Sequence, residues 1–472
     1  MGIRALLRSG RAPVEAPVAA PEGTLMGTDG GFRAVVDDRG GVRPAGVGHG
    51  VGWWIGAEDR WHDPATEPAV RQVRPGPAPV VETRMRVPGG DIVATSWAAV
   101  GRGPAGAALI VELANETPTP VAVAVTVSGD VRTMSVDGRR LIVGGSPAVV
   151  LDRDPGRFAL VDASTDLWGE VTAGRAVTDA PGPVRCRAGG AAGALVVPLN
   201  HRGSMRFAVP ADNLTGNPAE VFPAAGSVAA GWSRRLDGAA SVALPDEVLT
   251  AMVPRRLVDL LLAPPTPANA IELARWGLAR EAGEQVRGGD RRDPAGWLDA
   301  AAALWLLHRD ATLFTDPLSA RPAGDVIDDL VRAAPDTARS RSSIAALAPL
   351  FAALGDDRAA ADAAALGPAS RVVALPEASE GLAARLATPG DGTLALLTDM
   401  PTTWFGQDIE VHGLATTFGR IGYAVRWHGA RPALLWELDR HGDSPVRITA
   451  PGLDPAFVST NAAGEALLEA PG

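Results

Sequence analysis

From about Thr24 to Leu244, apolar residues come in short β-branched runs separated by turn residues. The runs include Phe32–Val36, Val80–Val87, Ala107–Leu113, Val121–Val127, Arg140–Val143, Ala148–Leu151, Phe158–Val161 and Ala194–Pro198. Gly, Asp and Pro punctuate them, as in Asp38-Arg39-Gly40-Gly41 and Asn115-Glu116-Thr117-Pro118. Strands at this spacing predict a large antiparallel β-sandwich. Near Pro245 the period changes. Behind Pro245-Asp246-Glu247, apolar residues at Val248, Leu249, Met252, Val253, Leu257, Leu260 and Leu261 follow helical spacing after an acidic first turn. Further helices are expected at 267–285, 294–309, 324–333, 341–354 and 357–365, about six in all, arranged as hairpins and broken by Pro264-Pro265, Gly288-Gly289-Asp290 and Pro335-Asp336.

Strand patterning returns with Arg371–Leu375, Thr393–Leu397, Arg420–Trp427, Ala433–Leu438, Val446–Thr449 and Glu465–Leu468. The expected fold class is multidomain β + α: a large antiparallel sandwich over 24–244, central helical hairpins over 245–370 and a small C-terminal β-sandwich over 371–472. Residues 1–23, rich in Pro and Ala, read as a loose arm.

Composition narrows the function classes. The chain has 472 residues, no Lys, one Tyr, one Cys and abundant Ala, Gly, Pro and Arg, a skew that marks a GC-rich, bacterial coding sequence. A net charge of −10 argues against nucleic acid, whose binding relies on basic patches. A lone Cys186 forms no internal disulfide, the N-terminus shows no secretory pattern, and no run reaches the ~18 apolar residues of a membrane helix, so a cytoplasmic location without membrane contact is expected. Without Lys there is neither a P-loop nor a Schiff base; no zinc spacing and no Gly-x-Ser-x-Gly elbow occur, and no cofactor or metal is expected.

Two segments combine flat rings with charged groups. In Gly50–Pro64, Trp53, Trp54 and Trp61 stand beside Glu58, Asp59, His62 and Asp63. In Arg426–Glu437, Trp427, His428, Arg431, Trp436 and Glu437 lie along a predicted hairpin turned at His428-Gly429-Ala430. Rings beside Arg and carboxylates suit a hydroxyl-rich ligand such as an oligosaccharide. The same residues also serve as sandwich caps and interface glue. The ligand-binding candidates are Trp53, Trp54, Trp61, His62, Trp427, His428, Arg431 and Trp436; Glu58, Asp59 and Glu437 are the acid–base candidates. Adjacent Glu58 and Asp59 face opposite ways on a strand, so glycoside cleavage would need a distant second carboxyl such as Glu437. Trp276, Trp297, Trp305 and His308 read as helix packing, and Asp325, Asp328 and Asp329 as a solvated face.

The order of large β-sandwich, helical hairpins and small β-domain, with strand patterns such as Leu113-Ala114-Asn115-Glu116-Thr117-Pro118-Thr119-Pro120-Val121, resembles the six-hairpin glycosidases and glycoside phosphorylases. The resemblance implies a glycan or oligosaccharide partner, and hydrolysis or phosphorolysis driven by a carboxylic acid. The chain departs from it in one respect. Twelve helices of ~11 residues with ~5-residue connections need roughly 200 residues, more than 245–370 holds. Half a toroid fits, which opens the alternative of a non-catalytic binding or scaffold subunit and leaves apolar helix faces for the flanking sandwiches or a second copy of the chain to cover.

Overall fold

The computed structural model describes residues 23–29, 31–289, 292–315, 323–367 and 381–469. The expected arm over residues 1–23, Gly23 excepted, and the expected strand Arg371–Leu375 lie outside the described residues. The chain divides at Arg235/Leu236 into two compact units.

The first unit is a two-sheet sandwich in which every strand pair is antiparallel. One sheet has eight strands, with His49–Gly56 at its centre paired to Val121–Gly129, which in turn pairs with Ala192–Leu199. The other has nine, centred on Ser204–Pro210, Ala107–Asn115 and Gly90–Val100. Alternation decides what faces inward: in His49–Gly56, Val51, Trp53 and Ile55 are buried, while Gly52, Trp54 and Gly56 face the other way. The inward set meets Met85, Ile92, Leu113 and Phe207 of the opposite sheet in one core. Three helices of this unit have no counterpart in the strand pattern: Leu167–Thr172, Pro218–Val221 and Ala225–Arg235. The last buries only Trp232, so its apolar periodicity is faint.

The second unit joins helices and two further sheets around a single core, in which Leu257, Leu273 and Leu304 share one cluster with Leu394, Val425 and Ile448. Ser241–Ala243, expected to belong to the first sandwich, pairs instead with Ile409–Thr416 in the five-stranded sheet of this unit. The four-stranded sheet contains one parallel pair, Thr393–Leu396 with Arg447–Ala450.

Between 245 and 367, eight helices are described, because two predicted segments each split. Pro267–Arg275 and Ala279–Arg287 are separated at Gly277, whose φ of 86° lies in the left-handed region that favours glycine. Ala338–Ala346 stops at Leu347 and Ala348–Ala353 restarts with Pro349 in its first turn, where a missing N–H costs nothing. Glu247–Leu262 begins as expected, with Asp246 accepting from the N–H groups of Val248 and Leu249. The helix Pro294–His308 is apolar on all sides and buried almost throughout, which places it at the centre of the helical layer. The order of large sandwich, helical hairpins and C-terminal sheets is the one that the resemblance to six-hairpin glycosidases implies.

Candidate functional site

The tryptophan-rich segment of the first unit is organised mainly as packing. Trp53 is 2% exposed inside the sandwich, and its Nε1 has no hydrogen-bond partner. It has no face to offer a ligand, which corrects the expectation from sequence. Trp54, its neighbour on the opposite face, is half-buried and meets the edge of Trp168 at 5.0 Å. Its side chain bonds Asp63, whose carboxyl is pushed up by burial. Trp61, also half-buried, lies over Gly56, where an added Cβ would come within 2.9 Å of the ring.

His62 is buried and both its ring nitrogens are engaged: Nε2 with Asp59 at 3.0 Å and Nδ1 with Glu67 at 3.0 Å. Arg60 donates to the same Glu67 oxygen at 2.6 Å. That bond, ahead of the one from His62, holds the Glu67 carboxyl below the usual range; the bond from His62 does the same for Asp59. His62 therefore ties the turn after His49–Gly56 to Glu67 and has no nitrogen left for a ligand, a second correction. Glu58 is exposed on that turn.

The hairpin of the second unit forms as expected. Gly419–His428 pairs with Arg431–Arg440, His428 opposite Arg431, across a two-residue turn with Gly429 at φ 65°. Trp436 is 6% exposed, donates to the Asn461 carbonyl at 3.0 Å and packs edge-on to Phe457, so it is not available for stacking. Arg431 donates to the Leu468 and Leu467 carbonyls at 2.9 and 3.3 Å and pins the closing strand. Trp427 is half-buried near Phe405 and donates to the Gln407 carbonyl at 2.8 Å. His428 and Glu437 are exposed.

A concave site of the second unit lies among its helices. A cavity of about 660 Å³ opens where Pro267–Arg275, Pro294–His308 and Ala338–Ala346 begin, beside Glu247–Leu262. Two of these helix starts are capped from its wall. Thr266 accepts from Asn269 N–H at 3.1 Å, and Asp293 from Gly296 N–H at 2.9 Å. Position 296 admits only glycine without rearrangement, because a Cβ there would run into the Asp293 carboxylate and reach Pro267 at 3.0 Å.

Met252 and Leu382 are its accessible apolar groups, Ile271 and Trp276 lie almost fully buried in its wall, and Arg256, Arg275, Arg339, Glu272 and Asp293 are its charged groups. Glu272 takes Nε and Nη2 of Arg256 at 3.2 and 2.9 Å. Arg339 reaches below the wall to Asp299, 2% exposed, at 2.5 Å, and Asp299 also accepts from Ser343. Burial pushes the Asp299 carboxyl up, opposed by Ser343 and Arg339. Burial likewise lowers Arg275, opposed by Glu272. None of these polar residues stood out in the sequence. Thr266-Pro267 and Asp293-Pro294 are readable helix starts, but their convergence is a tertiary fact. Among the described residues, no three His, Cys, Asp or Glu side chains are disposed to hold a metal ion, and no helix is long and apolar enough to cross a membrane.

No family model and no curated protein matches this chain. Among solved structures, it is similar to a bacterial glucoamylase complexed with acarbose, at 8% identity and TM-score 0.48, over 76% of this chain and 68% of that one. It is also similar to a family-92 glycosyl hydrolase, at 10% identity and TM-score 0.25, over 73% of this chain and 52% of that one. Likeness at these values carries no argument about function, so the reading rests on the chain's own residues.

Proposed function

We propose that this chain is a carbohydrate-active protein that holds a glycan or oligosaccharide in the helical cavity of its second unit, and that it binds rather than hydrolyses it. The cavity carries the reading. Its volume of about 660 Å³ falls within the range of small-molecule sites, and it combines accessible apolar groups, Met252 and Leu382, with Arg and Glu side chains. A pyranose has the matching character: a carbon–hydrogen face for the apolar wall and hydroxyls for the charged rim.

Binding is favoured over cleavage by how the carboxylates are used. Glycoside hydrolysis needs two carboxyls across the bond, one of them ready to donate a proton to the leaving oxygen. Glu272 and Asp293 are the carboxylates on the wall, and both already serve as acceptors, one for Arg256 and one for its own helix. Asp299 is spent on Arg339 and Ser343.

The test is calorimetry of the full chain against an oligosaccharide panel, with reducing-end release followed in parallel. Binding without release is expected. Ala268→Trp, placed at an exposed position on the cavity wall, should abolish binding while leaving the melting temperature near that of the parent. Release of reducing ends that Glu272→Gln stops would replace the binding reading with a hydrolytic one.

A further inference from the structure

We infer that the sugar held in the helical cavity carries an anionic group, a carboxylate or a phosphate, and that Arg256 and Arg339 receive it. This rests on the carbohydrate reading of the cavity. Arg256 commits Nε and Nη2 to Glu272, and Arg339 commits Nε and Nη2 to Asp299. Among the described residues, no partner takes the Nη1 of either. Each guanidinium is therefore held along one edge by a carboxylate, which leaves its Nη1 for something else. A planar fork fixed in this way suits an anionic oxygen group.

The Asp299–Arg339 pair supplies the second strand of the argument. Asp299 is 2% exposed on the buried helix Pro294–His308, flanked by Leu298 and Ala300. Taking this carboxylate out of water carries a desolvation cost that an apolar residue would not, although its partner Arg339 remains half exposed. The clear consequence of the pair is to fix the side chain of Arg339 at the cavity wall. Glu272 does the same for Arg256 from the helix Pro267–Arg275. Glu272 and Asp299 are thus positioning residues, and the two arginines are the binding groups. The third arginine, Arg275, adds positive charge on the same wall. The uncharged groups open to the cavity, Met252 and Leu382, are left for the carbon face of the ring.

Calorimetry on the full chain with cellobiose, its uronic-acid counterpart cellobiouronic acid, and glucose 6-phosphate tests this, with acetate and inorganic phosphate as sugar-free anions. The expected result is at least tenfold tighter binding of one charged sugar than of cellobiose, since charge-assisted hydrogen bonds are the strong ones. Which charged sugar it is identifies the group. Arg256→Gln, at an exposed position, should remove that preference, weakening the charged sugar at least tenfold more than cellobiose. Asp299→Asn should weaken the charged sugar selectively if Asp299 only positions Arg339. Equal affinity for cellobiose and both charged sugars overturns the anionic-group inference and leaves the carbohydrate reading intact. Absence of binding by all three sugars overturns both. So does binding of acetate or phosphate as tight as that of any sugar.

Discussion

At the scale of single residues, the charged groups act mostly on one another. His62, between Asp59 and Glu67, is a junction in which two carboxylates share one imidazole. Replacing it with Ala leaves Glu67, 7% exposed, with Arg60 alone. The expected loss is ~2 kcal/mol, the cost of a buried polar group deprived of a partner, read as faster amide exchange over residues 57–69 and an earlier denaturant midpoint for the first unit. The sign of the pH effect follows from Glu67. Its folded carboxyl lies below the ordinary value of 4.5, so the unfolded chain binds the proton more readily. The associated stability is fully present above about pH 4.5 and is lost as pH falls through the folded value. Acid titration of the parent should show this loss, and Glu67→Gln should flatten it.

At the scale of elements, caps and glycines decide where helices start and stop. Gly277 separates two helices at φ 86° and packs against the Gly238 carbonyl, 3.3 Å from where a Cβ would lie. Gly277→Ala is expected to cost ~1–2 kcal/mol, the strain of a left-handed residue with a Cβ. Chemical denaturation of the second unit, followed by hydrogen exchange, measures it. A gain in stability would mean that the break is set elsewhere. Gly464 lies under Trp436, with a Cβ position 2.6 Å from the ring. Gly464→Val should free the strand Ala463–Leu467 and raise exchange at Leu467 and Leu468 without touching the first unit.

Sequence period located these elements well. Val80–Val87 and Arg140–Val143 coincide with the observed strands, and the hairpin at Gly429 turns where expected. It failed where the signal is not periodic. Ala225–Arg235 has one buried residue, and the two split helices depend on a single Gly and a single Pro.

At the scale of the whole molecule, the two units carry separate titratable burdens. In the second, burial lowers His308, which bonds the Ala274 carbonyl at 2.8 Å, and His441, which bonds the Leu307 carbonyl at 2.8 Å. Each folded value lies below the ordinary 6.5, so between the two the unfolded chain binds more protons and stability rises with pH. Acidification from pH 7 to 5 should therefore speed exchange in the helices around His308. His441→Gln should reduce that slope, and an unchanged slope would place the acid sensitivity in other groups.

The sequence by itself determined what depends on neighbours along the chain. These are the alternation that sorts Trp53 inward and Trp54 outward, the Asp246 and Asp293 helix starts, and the order of strands, helices and strands. Tertiary structure alone decided what the charged and aromatic groups do. Trp53, His62 and Trp436 have the composition of a ligand site, yet packing and hydrogen bonds consume them. Arg256, Glu272 and Arg339 look ordinary in their helices and come together at one cavity, where Asp299 bonds Arg339. The reason is physical: a helical or strand period reports which side of an element is apolar, whereas a binding site depends on which elements converge, and no local pattern encodes that.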